Sequence, residues 1–494
     1  MKRMLKFVSV LTVCLLVLNG PSALWAAQNN IKDEDIADAV ETEMLMDEHV
    51  ASHLIDVSVQ EGVVTLKGTV DTLFAEDHAI DIVHTVKGVR TVIDRMKVKD
   101  IQASDRTLRS DIIATLLEDP AAESYEVTVS VENGIATLKG TVDSWAERNL
   151  CEELAMQVKG IKGIENDITV TYSTRRSDTE IKKDIQEKFE YDPYIDDGLI
   201  DISVDNGTVS LSGSVGSSAE KQLAADAAWV TGVSSVKTDD LDVKWWLRDD
   251  MQRKSKYVDK PDEKLENAVK DGLLYDPRAF SFMIDVDVDN GAATLRGTVD
   301  NLRAKKAAGQ VASDTLGIWS VDNRIKVRHT TPPSDTEIEE NISEAISRNS
   351  VLNDEAIFVD VINQKAYLTG TVDSSFEKTL AENTVSGVYG VVSVTNNISV
   401  VKEWPWKSDT AIKADIESKL FWDVFIDSGD ITVTVENGTA TLEGEVDSVQ
   451  EHTEAVKDAF EAGAKRVRTE LEIDGNNNFP LNEEYPSLSS NTNP

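Results

Sequence analysis

Cysteine is nearly missing from this chain. Cys14 lies inside an N-terminal apolar run, and Cys151 is alone in everything that follows. A chain processed after that run has no internal disulfide, whatever the compartment allows. Histidine is scarce too, with six in 494 residues and no HExxH among them. His49 and His53 lie four apart, but beside a loop. No Walker loop and no G-x-G-x-x-G occurs, so the phosphate-cradling and zinc-protease signatures are absent. Cations are outnumbered, 50 Lys and Arg against 89 Asp and Glu, for a net charge of −39. That balance excludes nucleic acid as a partner, because such proteins present basic footprints. It also repels anionic lipid over most of the surface, so lipid contact must be local, apolar or assisted by cations. Long apolar runs are missing except Phe7 to Leu18, which is short for a bilayer span.

That run follows Lys2, Arg3 and Lys6 and precedes Ala23, Ala26 and Ala27. The pattern is that of a secretory leader over 1–26. Leu24 is imperfect for cleavage after Ala26, and a retained N-terminal anchor is the alternative reading.

What the chain has in quantity is one pattern, repeated. VENGIATLKGTVDS (131–144) returns as VQEGVVTLKGTVDT (59–72), VDNGTVSLSGSVGS (204–217), VDNGAATLRGTVDN (288–301), VINQKAYLTGTVDS (361–374) and VENGTATLEGEVDS (435–448). Its central glycine recurs at Gly68, Gly140, Gly213, Gly297, Gly370 and Gly444, at spacings of 72, 73, 84, 73 and 74. Equal spacing of this kind marks a tandem array. The one long interval holds an insertion, LRDDMQRKSKYVDK at 247–260.

Each copy reads as the same series of elements. A helix comes first, with apolar residues four apart, as in Leu108, Ile112 and Leu116 or Ile181, Ile185 and Phe189. SDTE at 177–180 and 334–337 is a capping box at its start. Two strands follow, with alternating Val127, Val129, Val131 and Ala136, Leu138, Val142. Asn133-Gly134 between them predicts a type I′ turn. Asn363-Gln364 in the fifth copy predicts a longer or strained one. Ser144 and Glu147 predict a second capped helix, as do Ser217/Glu220, Ser374/Glu377 and Ser448/Glu451. A glycine such as Gly160 ends that helix, and a last strand such as NDITV (166–170) closes the unit. The fold class is therefore α+β: six tandem αββαβ units, each with two helices on a three-stranded sheet. The expected bounds are 32–101, 102–174, 175–246, 261–330, 331–402 and 403–474, with a linker at 247–260 and a disordered tail at 475–494.

The V-x-V-x-N-G-x-x-T-L-x-G-x-V hairpin, the Ala-rich second helix and the closing V-x-G-[IV]-x-x-[IV]-x-N-x-[IV]-x-V, seen from Val158 to Val170, resemble the BON (bacterial OsmY and nodulation) domain family. The resemblance implies export to the periplasm and a non-enzymatic role in osmotic stress or envelope maintenance. It further implies binding to membrane phospholipid, or to envelope or client proteins as a scaffold or chaperone-like array.

Repetition removes most candidate sites. DVDVDNG (285–291) has the aspartate spacing of a calcium loop, but Gly291 falls one position late and Val286 and Val288 alternate as in a strand. The carboxylate at Asp71, Asp143, Asp300, Asp373 and Asp447 precedes a helix start, where negative charge suits the helix dipole. Cys151 has alanine counterparts at Ala79, Ala224, Ala308, Ala381 and Ala455, which points to a buried, inert position. No catalytic residue, metal ligand or cofactor is expected. What differs between copies is more informative. Trp245-Trp246 and Trp404/Trp406 lie just past the last strand of the third and fifth copies, the first pair beside Arg248, Arg253, Lys254 and Lys256. These eight residues are the expected partner or membrane surface, with packing between units the competing role for the tryptophans.

Overall fold

The computed structural model describes residues 31–485, apart from 48–49, 51, 100–102, 120–126, 173, 248–255, 257–259, 280–282, 330, 353–354, 373–374, 401–406 and 474–483. Unit 2 shows the plan. Its first helix is Asp105–Glu118, its hairpin Val127–Glu132 and Ile135–Val142, its second helix Trp145–Met156 and its last strand Gly163–Val170. The hairpin is antiparallel, with Val129 opposite Leu138. The last strand returns parallel to the second, with Ile164 beside Ala136. The second strand is therefore central, and the second helix is the crossover that a parallel pair requires. The core forms between the sheet and the two helical stripes: Leu108, Ile112 and Leu116 meet Ala136, Leu138, Val142, Cys151 and Leu154. All six units follow this order.

The repeated hairpin has two backbone requirements. Asn133 and Gly134 both have positive φ, at 54° and 82°, which is the type I′ turn. Unit 5 keeps the same two-residue turn, with Asn363 at 52° and Gln364 at 64°. Its departure from Asn-Gly is thus absorbed as local strain and not as a longer loop. The central glycine is needed for space: a Cβ on Gly444 would lie 1.9 Å from the Asp430 carbonyl oxygen, and one on Gly370 1.9 Å from that of Ala356.

Two features refine the sequence reading of the unit. The capping boxes at Ser177/Glu180 and Ser334/Glu337 are present. At the second helices Ser144, Ser217 and Ser448 cap as expected, but the glutamate reaches one residue further back. The carboxylates of Glu147, Glu220 and Glu451 accept from the N–H of Asp143, Gly216 and Asp447. In units 3 and 6 the other oxygen accepts from Asp196 and Asp427, tying the helix start to the loop before the hairpin. The tail is also not wholly without structure: Glu484–Tyr485 pairs antiparallel with the last strand of unit 6.

The units join through their helix ends. Near the end of the second helix of unit 1, the Lys87 N–H donates to the Trp422 carbonyl of unit 6 (2.8 Å), and the Val424 N–H donates to Thr85 (3.0 Å). Units 2 and 5 repeat this: Ser350 N–H to Gln157 (2.8 Å) and Lys159 N–H to Arg348 (3.3 Å). Units 4 and 3 repeat it again through Leu316 N–H to Tyr191 (2.8 Å). The pairs 1–6, 2–5 and 3–4 are nested, so the chain folds back on itself at the insertion.

Within the first half the second helices meet head to tail. His84, ending the helix of unit 1, lies 2.8 Å from Ser218, which opens that of unit 3. Trp229 of unit 3, at the position of His84, stacks on Trp145 of unit 2, at the position of Ser218, with centroids 5.3 Å apart and planes 3° off parallel. Leu73, at that same position in unit 1, packs on the core of unit 2. The three contacts close a ring. In the second half Leu302 of unit 4, at that same position, joins the core of unit 5, and Gln450 of unit 6, one residue further along its helix, donates to Ser313 of unit 4, at the position of His84. The array is therefore two three-unit layers, face to face.

Candidate interaction surfaces

The residues nominated by sequence do not come together as one surface. Trp245–Leu247 is a short 3₁₀ turn directly after the last strand of unit 3. Trp245 is half-buried with its ring edge-on to Trp246 at 6.1 Å, and Trp246 is 54 % exposed. Arg248, Arg253, Lys254, Trp404 and Trp406 lie outside the described residues. Lys256 is not on a surface at all. Its Nζ donates to the Phe189 carbonyl (2.6 Å) and to that of Ile195, and lies 3.5 Å from Asp197. Burial pulls its pKa down, and Asp197 and Asp192 oppose that pull. A cation here answers the free carbonyls at the end of the first helix of unit 3. Its role is to anchor the insertion where the chain turns back.

The tryptophans that lock units are others: Trp145 on Trp229, and Trp422, which packs against the core of unit 1. They sit within helices or at their ends, where an apolar residue reads as part of a unit's own core. The available signal is that unit 2 carries Trp145 where the other copies have Leu73, Ser218, Leu302, Ser375 and Val449.

A second missed element is strictly repeated. The first residue of each first helix is aspartate, and its carboxylate accepts both N–H groups of the hairpin turn. Asp105 takes Asn133 and Gly134, each at 3.0 Å. Asp33, Asp178, Asp262, Asp335 and Asp409 do the same for units 1, 3, 4, 5 and 6. The signal in the sequence is a separation of 28 residues from aspartate to turn, kept in every copy. These carboxylates clasp the hairpin to the helix and are not available to a ligand.

Three other candidates resolve as structure. Asp285, Asp287 and Asp289 project outward from a strand, Ile284–Asp289, with Val286 and Val288 buried between them. Cys151 is wholly buried, and burial pushes its thiol up to about 12, far from the thiolate that reactivity needs. His53 is exposed beside its loop, and His49 is outside the described residues. Among the described residues no three His, Cys, Asp or Glu converge as metal ligands.

The junction between units carries the strongest electrostatics. Lys419 of unit 6 reaches Glu43 of unit 1 (2.6 Å) as well as Glu461 (3.0 Å) and Asp458 (3.7 Å). Burial pulls its pKa down, yet Glu461, Asp458 and Glu43 together lift it above the ordinary lysine range. Arg303 of unit 4 pairs with buried Asp119 of unit 2. Between units 2, 4 and 5 that pair borders a cavity of about 60 Å³, also lined by Thr115, Gln157, Ala345 and Arg348. Such a space holds a few waters at most. Asp81, Glu153 and Asp226 occupy one equivalent position on the ringed helices of units 1, 2 and 3, and the pKa of each is raised, foremost by burial.

The outward faces are those of the sheets, and each residue run along them matches a known module. Residues 32–100, 104–172, 177–244, 261–329, 334–402 and 408–475 match the BON domain. The chain belongs to the BON domain family. It is 32 % identical over 147 residues to the osmotically-inducible protein Y of Escherichia coli (strain K12), an alignment spanning 28 % of this chain and 73 % of that protein. Two solved structures of CdsD, a structural protein of the type III secretion system of Chlamydia trachomatis, align at 13 % and 16 % identity. They cover 43 % and 48 % of this chain and 100 % and 97 % of theirs, with TM-scores of 0.12 and 0.13, too low to carry an argument. The six BON units account for both the repeated hairpin and the α+β class. No described helix is long and apolar enough to cross a membrane.

Proposed function

We propose that this chain is an exported, non-enzymatic protein of the bacterial periplasm that protects the envelope under osmotic stress by holding partner or client proteins on its exterior. The similarity to an osmotically inducible BON protein supports the setting. The observation that carries the mode of action is the pairing of the units. Helix ends and second helices, the surfaces a lone unit would offer, are consumed between units, leaving the sheet faces and strand edges outside. A surface with a net charge of −39 suits protein partners better than anionic lipid.

A second reading has its own observation. Trp246 is exposed at the start of the insertion, as an interfacial anchor would be. In this reading the chain binds membrane phospholipid there. Two assays separate the readings: suppression of aggregation of a denatured client, and flotation with vesicles of bacterial lipid with and without divalent cations. The scaffold reading predicts suppression and no flotation. Flotation that Trp246→Ala abolishes, without suppression, establishes the lipid reading in its place. Inertness in both assays overturns the two together.

A further inference from the structure

Unit 6 differs from its fellows along one edge of its sheet. Among the described residues, the last strand of units 1 to 5 pairs on one side only, leaving the other edge of the sheet without a strand. In unit 6 the segment Glu484–Tyr485 fills that edge, with Tyr485 opposite Val467 and Glu484 opposite Arg468. The strand beneath it is built for cover. Val467 and Thr469 are completely buried, whereas Val92, Ile164, Val236, Val321 and Val394, at the position of Val467, are all partly exposed. At the next inward position units 2, 4 and 5 use Asn166, Asn323 and Asn396, whose amides donate to carbonyls of the second helix. Unit 6 has given up that asparagine for Thr469.

The outward positions have changed as well. Arg466 and Arg468 flank Val467, where unit 2 carries Gly163 and Glu165 and unit 5 carries Ser393 and Thr395. The paired residues Glu484 and Tyr485 lie in the sequence PLNEEYP, acidic in its centre and bounded by Pro480 and Pro486. Proline cannot donate to a ladder, and Pro486 directly follows the paired residues in sequence. Two residue pairs are a weak hold, and the chain in cis compensates through high effective concentration.

We propose that this edge of unit 6 is a strand-accepting docking site for an extended acidic peptide of a partner protein, and that Glu484–Tyr485 is its built-in, displaceable occupant. Backbone pairing to Val467 and Arg468 would supply affinity, and the two arginines would select acidic side chains. The proposal rests on the partner-binding reading for its biological purpose, but its test is separate from the client and vesicle assays.

The test uses a fluorescein-labelled peptide of residues 479–488, FPLNEEYPSL, and fluorescence anisotropy. The full chain, full-length Tyr485→Pro and a chain ending at Asp474 are compared. Tyr485→Pro removes a backbone donor from the occupant without shortening the chain. Both altered chains are expected to bind the peptide saturably and at least tenfold more tightly than the parent. Arg468→Glu in either background is expected to lose about tenfold, as is a peptide with lysine at both glutamates. Absence of saturable binding to both opened chains overturns the proposal. Equal binding by parent and opened chains overturns it too, and so does indifference to Arg468→Glu.

Discussion

Replacing Lys419 with methionine removes a cation that three carboxylates share at the closure of units 1 and 6. Its side chain is 10 % exposed, and Glu43, Glu461 and Asp458 lie within 2.6–3.7 Å. Methionine fills much of the same volume, so cavity formation contributes little. The cost is electrostatic: breaking a buried ion network by deleting one partner typically costs about 3–5 kcal/mol. In a cooperative block of two or more units that corresponds to a loss of roughly 10 °C in Tm. The pH dependence has a definite sign. The pKa of Asp458 is already raised, by burial first and then by Asp423, with Lys419 opposing. Removing Lys419 raises it further. A group with a raised folded pKa opposes folding when charged, so the variant regains stability as pH falls from 7 toward 4 and Asp458 takes up a proton. Glu43→Gln in the same chain restores part of the loss, because the pair is coupled. Thermal and urea unfolding at pH 7 and pH 5 measure this. A Lys419→Met variant within 0.5 kcal/mol of the parent at pH 7, or one that weakens further in acid, refutes the reasoning.

Three further perturbations test other levels of the account. Asp105→Ala removes two charge-assisted hydrogen bonds from the unit 2 turn and is expected to cost about 2 kcal/mol in urea unfolding, with Asp105→Asn intermediate. Gln364→Gly places the permissive residue at φ 64° and is expected to stabilise unit 5 by about 0.5–1 kcal/mol; a loss would contradict the strained turn. The pKa of Asp81 is raised to about 6, by burial first and then by Asp77, with His78 opposing. Its charge therefore opposes folding above that pH, and protonation between pH 6 and 4 adds stability. Asp81→Asn is expected to raise Tm at pH 7 and to flatten the gain on acidification, as read by melts across that range.

The interior of each unit was legible because it is periodic. Val127, Val129 and the Leu108–Ile112–Leu116 stripe report burial against a sheet, and burial within a unit depends on spacing alone. Asn133-Gly134 names its turn by the φ it permits. The Asp105 clasp was legible in principle, through its constant separation of 28, but its carboxylate sits in a first turn where acid is common for other reasons. The junctions were not legible. Glu43 and Lys419 occupy equivalent positions in units 1 and 6, and Thr115 and Ala345 in units 2 and 5. Such pairs break the repeat, so periodicity treats them as surface variation. Lys256 shows the same limit: a lysine in a basic insertion reads as solvated unless the helix end that receives it is known.

Six BON units close into two paired layers instead of trailing as a string. Small-angle X-ray scattering of the chain at neutral pH tests it most directly. A closed body of this length has a radius of gyration of about 23 Å, and a value near that, with a single compact distance distribution, is expected. Six units of about 25 Å lying end to end would give roughly 40 Å, and a value in that range contradicts the pairing of 1 with 6, 2 with 5 and 3 with 4.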